Sequence, residues 1–188
     1  MHPLNLDGTS DFNQAMIPLV VDRNLAAVAS TEVSINTKIF DGSTLIGPGD
    51  GSIAIDPADP TTYNSSQTLS LFDDAGEPYT VTVFYQKIAE GAAQDDYRVA
   101  MYTDVTEAPT NTFNVSFDAN GAAIAAIPDQ VIAAFARVYG RTEDLTISFD
   151  LQTHTKPFEI IDQTIDGSPE EISKYKHRRR WDCYGNLF

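Results

Sequence analysis

The sequence predicts an all-β protein, an antiparallel β-barrel or sandwich of about six to eight short strands with little helix. Three observations carry that reading. Apolar residues recur with period two in several runs, most clearly Tyr79, Val81, Val83 and Tyr85. Side chains alternate across a strand, so such a run buries one face and leaves the other to solvent. The runs are separated by clusters of Gly, Pro, Asp and Asn, whose backbone preferences favour turns. Apolar residues at sustained helical spacing are confined to one segment, Ala122 to Gly140.

Met1 to Ser30 is irregular by pattern. Ile17-Pro18-Leu19-Val20-Val21 reads as a short edge strand, since its proline cannot donate to a central ladder. Glu32 to Phe40 alternates Val33, Ile35, Thr37 and Ile39, a strand, and Asp41 to Gly51 must be loop, with Gly42, Gly47, Pro48, Gly49 and Gly51. Asp56 to Asn64 is a rigid corner in which Pro57 and Pro60 fix φ while Asp56 and Asp59 accept from the amides that follow. A hairpin comes next. Leu69 and Leu71, with Asp73, share one face of its first strand, and Tyr79 to Tyr85 form its second. Asp73-Asp74-Ala75-Gly76-Glu77-Pro78 makes the connection, with a glycine free to take positive φ and a proline that stops pairing.

Ile88 to Asp96 reads as a second loop. Tyr97 to Thr103 is a strand, Asp104 to Asn111 a loop, and Thr112 to Asp118 a strand closed by the tight turn Asp118-Ala119-Asn120-Gly121. Within Ala122 to Gly140, Val131, Ile132, Phe135, Val138 and Tyr139 fall at helical spacing, with Pro128 suited to a first turn and Gly140 to the residue after the last. A short helix or an irregular insert is expected there. Leu145, Ile147, Phe149 and Leu151 mark another strand, and Phe158 to Ile161 one more. No internal repeat appears.

A chain of 188 residues is long enough to bury a core as one domain, with or without tails. Its 27 acidic against 12 basic residues give a formal net charge of −15. That argues against nucleic acid as a partner, for want of basic surface to displace phosphate counterions, and equally against an anionic membrane surface. No apolar run is long enough to span a bilayer, and the N-terminus lacks the basic and apolar regions of a secretory signal. Cys183 is the only cysteine, so no internal disulfide forms.

Several stretches, taken together, resemble the outer domain of the bacterial flagellar hook protein. They are Asp56-Pro57-Ala58-Asp59-Pro60-Thr61-Thr62-Tyr63-Asn64, the threonine-rich strand after it, Phe72-Asp73-Asp74-Ala75-Gly76-Glu77, and Thr80-Val81-Thr82-Val83-Phe84-Tyr85. Thr31-Glu32-Val33-Ser34-Ile35-Asn36 is similar to the strand leading into that domain, and Val115-Ser116-Phe117-Asp118-Ala119-Asn120-Gly121 to one of its turns. Leu145 to Leu151 and Gln163-Thr164-Ile165-Asp166-Gly167 resemble its last strands and a Gln-Asp-Gly turn, and the resemblance favours extended chain over Ala122 to Gly140, where the spacing reads as helix or insert. The resemblance covers Thr31 to Lys176 and implies a structural role in a tube that joins motor to filament as a universal joint. It implies other hook subunits as partners, an extracellular place, and export through the flagellar apparatus without a cleaved signal. The family's terminal helices have no counterpart in the sequence, so the chain by itself is expected to be a soluble monomer.

Three segments follow: an irregular lead-in over 1–30, the outer β-domain over 31–176, and a basic tail over 177–188. The tail gathers Arg178, Arg179, Arg180, Trp181 and Cys183 on an otherwise acidic chain. It reads either as a basic anchor for an acidic partner or as a frameshifted readthrough. Back-translating His177 to Tyr184 and shifting by one nucleotide permits Ile-Asp-Asp-Asp-Gly-Thr-Val-Met, close to what the hook family carries at that place. On that reading the tail is disordered.

No catalytic, cofactor-binding or metal-ligating residue is assigned. His2, His154 and His177 are scattered, without zinc spacing, and no nucleophile motif or phosphate-cradling loop is present. Asp56, Asp59, Asp73, Asp74 and Asp118 sit in turns, where aspartate serves to cap backbone amides. Asp118-Ala119-Asn120-Gly121 has the flavour of a calcium loop without its later glutamate. Asn64-Ser65-Ser66 and Asn114-Val115-Ser116 match the glycosylation sequon, expected by chance in a bacterial protein. The alternative readings are an extracellular sandwich binding glycan or calcium, with Tyr97, Tyr102 and Tyr139 as an exposed aromatic row, and a hydrolase built on two facing acids.

Overall fold

A computed structural model describes residues 27–104, 108–133 and 143–167. The lead-in strand expected at Ile17 to Val21, the sites Phe135, Val138 and Tyr139, and the basic tail lie outside them.

The described residues form eight strands and one 3₁₀ turn. The strands are β1 (Glu32–Phe40), β2 (Ser65–Phe72), β3 (Pro78–Glu90), β4 (Gln94–Thr103), β5 (Asn111–Asp118), β6 (Gln130–Ile132), β7 (Leu145–His154) and β8 (Glu159–Ile165). They make two four-stranded sheets, one in the order β6-β7-β1-β8 and the other β2-β3-β4-β5. Of barrel and sandwich, the structure is a sandwich, because neither sheet closes on itself or on the other. The β2-β3-β4-β5 sheet is a simple antiparallel meander. In the other sheet β1 runs parallel to β7, paired from Glu32↔Thr146 to Phe40↔His154, and antiparallel to β8. That one parallel pair departs from the antiparallel expectation. The meander lies between β1 and β7 in the chain, and this long crossover lets β7 return in the direction of β1.

The core sits between the inner faces. Val33, Ile35 and Ile39 from β1 and Leu145, Ile147, Phe149 and Leu151 from β7 pack onto Leu69, Leu71, Val81, Val83, Tyr85 and their neighbours. The period-two pattern did its work here, since each of these residues lies on one side of its strand. A polar seam crosses the core. Thr37 Oγ1 donates to Gln67 Oε1 at 2.9 Å, and Gln67 Nε2 donates to Gln163 Oε1 at 2.9 Å. Buried amides require such partners, and these three residues tie the two sheets in one register.

A second, smaller apolar cluster forms on the outer face of the meander. There Ile55 and Tyr63, from the long β1–β2 connection, cover Phe84, Ala100 and Tyr102. The connection is held by its own carbonyls. Arg98 donates to Gly51 O and Ile53 O, Gln86 to Ile53 O and Thr62 O, and the Tyr102 hydroxyl to Ile55 O at 2.7 Å. The corner turns as the sequence suggests, with a 3₁₀ turn at Pro60–Thr62 capped by Asp59.

Three boundaries differ from the sequence reading. The loop expected over Ile88 to Asp96 shrinks to residues 91–93, because β3 and β4 stay paired through Glu90↔Asp95 after a register shift between Lys87 and Ala89. The shift breaks the alternation, which is why the pattern stops at Lys87 in sequence. Pro78 does not stop pairing: it opens β3 opposite Phe72, the first position of a strand, where its missing N–H is tolerated. The helix expected within 122–140 is not formed through Val131 and Ile132. Gln130–Ile132 is a strand paired with β7, with Ile132 buried at 3 % exposure and Val131 out at 50 %. Pairing with the edge of β7 satisfies this backbone and buries Ile132, which a lone turn of helix there would not.

Candidate functional site

The turn aspartates are the residues to which chemistry would first be assigned, and the structure uses an oxygen of Asp56, Asp59, Asp73 and Asp118 on the backbone. Asp56 Oδ1 accepts from Ala58 N at 2.9 Å, and Asp59 Oδ1 accepts from both the amide and the hydroxyl of Thr61. Asp73, 2 % exposed, accepts from the amides of Ala75 and Glu77 at 3.0 and 2.9 Å. Asp118 accepts from Asn120 N and Ala122 N at 2.9 and 3.0 Å. The amide of Ala122 first, then that of Asn120, holds the Asp118 carboxyl below the usual carboxylate range. The Thr61 hydroxyl and amide do the same to Asp59. Among the described residues no three His, Cys, Asp or Glu side chains gather as a metal ion requires. In each of these aspartates Oδ1 is taken by the amides of its own turn.

The aromatic row has no counterpart in the described residues. Tyr97 is fully buried with its hydroxyl donating to Phe40 O at 3.0 Å, and Tyr102 is 7 % exposed beneath Ile55. Burial pushes the Tyr97 phenol above its usual range, and the nearby carboxylates add to that. His154 ends β7 with Nε2 3.1 Å from Pro157 O.

One end of the sandwich does bring acids together. Asp41, Asp95, Asp118 and His154 line an open polar depression where β1, β7, the β3–β4 tip and the turn after β5 meet. Facing carboxylates are what a hydrolase needs. Here Asp118 caps its turn, and Asp95 Oδ2 is 3.0 Å from the ammonium of Lys87. Lys87 itself is 1 % exposed, donates to Asp41 O at 2.9 Å and lies 3.7 Å from Glu90. It is a strut between the two sheets. The sequence held a signal for it, since position 87 continues the buried odd-numbered face of Val81, Val83 and Tyr85.

At the opposite end, Asp166 joins the point where the chain comes into the sandwich to the point where it leaves. Its carboxylate accepts from Thr31 N, Thr31 Oγ1 and Glu32 N at 2.7, 2.6 and 2.8 Å. Its carbonyl accepts from Ser30 Oγ at 2.9 Å, and its amide donates to Glu32 O at 3.1 Å. Partial burial works against ionisation, but the Thr31 and Glu32 donors outweigh it and keep the carboxyl below its usual range. Gly167 follows at φ 87°, where a Cβ would lie 2.8 Å from Val28 O and from Ser30 Oγ. The sequence marked this aspartate only as part of a turn before Gly167, with no sign of its partners.

The described residues therefore present capped turns and polar struts around a largely apolar core. A family model described as "Flagellar basal body protein FlaE D2 domain" matches residues 41–168. The chain belongs to this family. A comparison with curated proteins gave no match. The match takes in every strand from β2 to β8 and begins just after β1. A FlaE D2 domain is a structural part of the flagellar hook, an extracellular assembly of like subunits, in agreement with the resemblance read from the turns. Among the described residues no helix of this D2 domain is long and apolar enough to cross a membrane.

Proposed function

We propose that this D2 domain is the outer, non-enzymatic part of a hook subunit and makes the lateral contacts between subunits that slide as the tube bends. What carries the reading is the family match over 41–168 on a sandwich whose turn aspartates serve its own backbone. Contacts that must shift without locking call for a stiff body with polar sides, because large apolar patches hold partners in one register. The outer face of β1 and β7 suits this, with Ser34, Asn36, Lys38, Ser148, Asp150 and Gln152. The domain spans 31–176 on this reading, binds neither nucleic acid nor membrane, and leaves the cell by the flagellar export route.

The 188-residue chain alone is expected to be a monomer, which sedimentation would show. Antibody raised against it should decorate hooks on the producing cells in electron micrographs. Cross-linking of those hooks should join one copy of the β1–β7 face to a neighbouring copy. Hooks that bind no antibody would remove the structural reading. Labelled hooks without any such cross-link would remove only the lateral contacts.

A further inference from the structure

We propose that the Asp166 clasp is the mechanical lock of this domain: it keeps β8 from peeling off β1 when tension is drawn between the two ends of the fold. The inference concerns the domain's own chain passages and does not rest on the tube contacts proposed above.

The geometry sets the direction of loading. β1 begins at Glu32 and β8 ends at Ile165, and Val33 pairs with Ile165, so both passages leave the sandwich at one end. Pulling them apart loads an antiparallel pair from its open end. Its ladder bonds then carry the tension one after another, instead of sharing it as they would in shear. Whatever closes that end takes the whole tension first.

Behind the closure, peeling is resisted by the ladder to β1, the Gln67–Gln163 bond and the packing of Ile165 on the core. β8 is an edge strand, bonded within its sheet only to β1. Ile160 and Ile161 are 47 % and 45 % exposed, and the ladder slips register between Asn36 and Thr37. β1, by contrast, is held on both sides, by β7 and β8.

At the open end the bonds are dense. Ser30, Thr31 and Glu32 share five hydrogen bonds with Asp166, three of them to its carboxylate. Bonds to a charged acceptor are shorter and stronger than neutral ones. Ser30 is tied in turn to the second sheet, donating from its amide to Phe72 O at 2.9 Å and accepting from Phe72 N at 3.1 Å. The lock is thus anchored across the sandwich, and not only on the strand that it protects. Gly167 then turns the chain away through a space that has no room for a side chain.

The test is single-molecule stretching of the full 188-residue chain, held through cysteines placed by Ala27→Cys and Ser168→Cys with Cys183→Ser. Asp166→Ala should shorten the lifetime of the closed state at constant force about tenfold, as expected for losing charge-assisted bonds at a partly exposed site. The first release should free the seven residues of β8, about 25 Å of extended chain. Thr31→Val, which removes one donor and keeps the backbone, should give a smaller loss in the same direction. Asp118→Ala removes a similar turn cap at the other end of the sandwich and should leave the lifetime unchanged. Equal lifetimes for wild type, Asp166→Ala and Thr31→Val would overturn the proposal. So would an equal loss in Asp118→Ala, or a first release that does not correspond to β8.

Discussion

Gly121→Ala should be among the most damaging single-methyl changes in this domain. Gly121 closes the turn after β5 at φ 83°, and a Cβ there would lie 2.9 Å from Thr153 Oγ1 and 3.0 Å from the Thr153 carbonyl carbon, with the carbonyl oxygen closer still. The neighbour is backbone of β7, so it cannot swing aside. Left-handed φ costs an L-residue roughly 1–2 kcal/mol by itself. Moving β7 away puts at risk the bonds Thr153 N→Gly121 O (2.8 Å) and Asp118 N→Ala122 O (2.9 Å). At about 1 kcal/mol net for each, the total loss comes to about 3–4 kcal/mol. For a domain of this size that lowers Tm by about 10 °C. Gly49→Ala is the companion measurement. Its φ is also left-handed, at 78°, but the nearest atom to a Cβ is the flexible tip of Leu45 at 3.0 Å, so only the conformational cost of roughly 1–2 kcal/mol applies. Urea unfolding at constant m-value measures both. If Gly121→Ala costs no more than Gly49→Ala, the turn does not press on β7 and the argument from close approach fails.

Other outcomes follow from the same structure. Lys87→Ala should cost about 3 kcal/mol by leaving a cavity and an unanswered Asp95, while Lys87→Met, which keeps the volume, should cost clearly less in the same denaturation assay. Asp118 has its carboxyl depressed in the folded state, so its contribution is present above pH 3.8 and is lost as pH falls below that through the folded value. Asp118→Asn should therefore flatten part of the loss of stability on acidification, read as the denaturation midpoint against pH. Ile132→Ala should cost about 2–4 kcal/mol, and Val131→Thr within about 0.5 kcal/mol. Equal costs for the two would contradict the strand, whose alternation puts one in and the other out.

The sequence by itself determined the all-β class, most of the strands and the chemistry of the turns. Those are local properties. Alternation marks a strand wherever one face is buried, as from Tyr79 to Tyr85, and Asp, Pro and Gly fold the corners at Asp56–Asn64 and Asp118–Gly121 through bonds within a few residues. Its turns also carried enough of the family's order and spacing for the hook resemblance to be read. Only the tertiary structure decided what depends on distant pairing. Whether the sheets close into a barrel, and that β1 lies parallel to β7, are settled by contacts between segments more than a hundred residues apart. Gln130–Ile132 looked helical because three residues are too few to show a period, and the edge of β7 made them a strand. Alternation put Lys87 on a buried face and Asp166 stood in a turn before Gly167, but no local pattern named their partners. Lys87 became a strut because Asp95 and the Asp41 carbonyl meet it inside, and Asp166 a clasp because Thr31 and Glu32 return to it from 134 or more residues away.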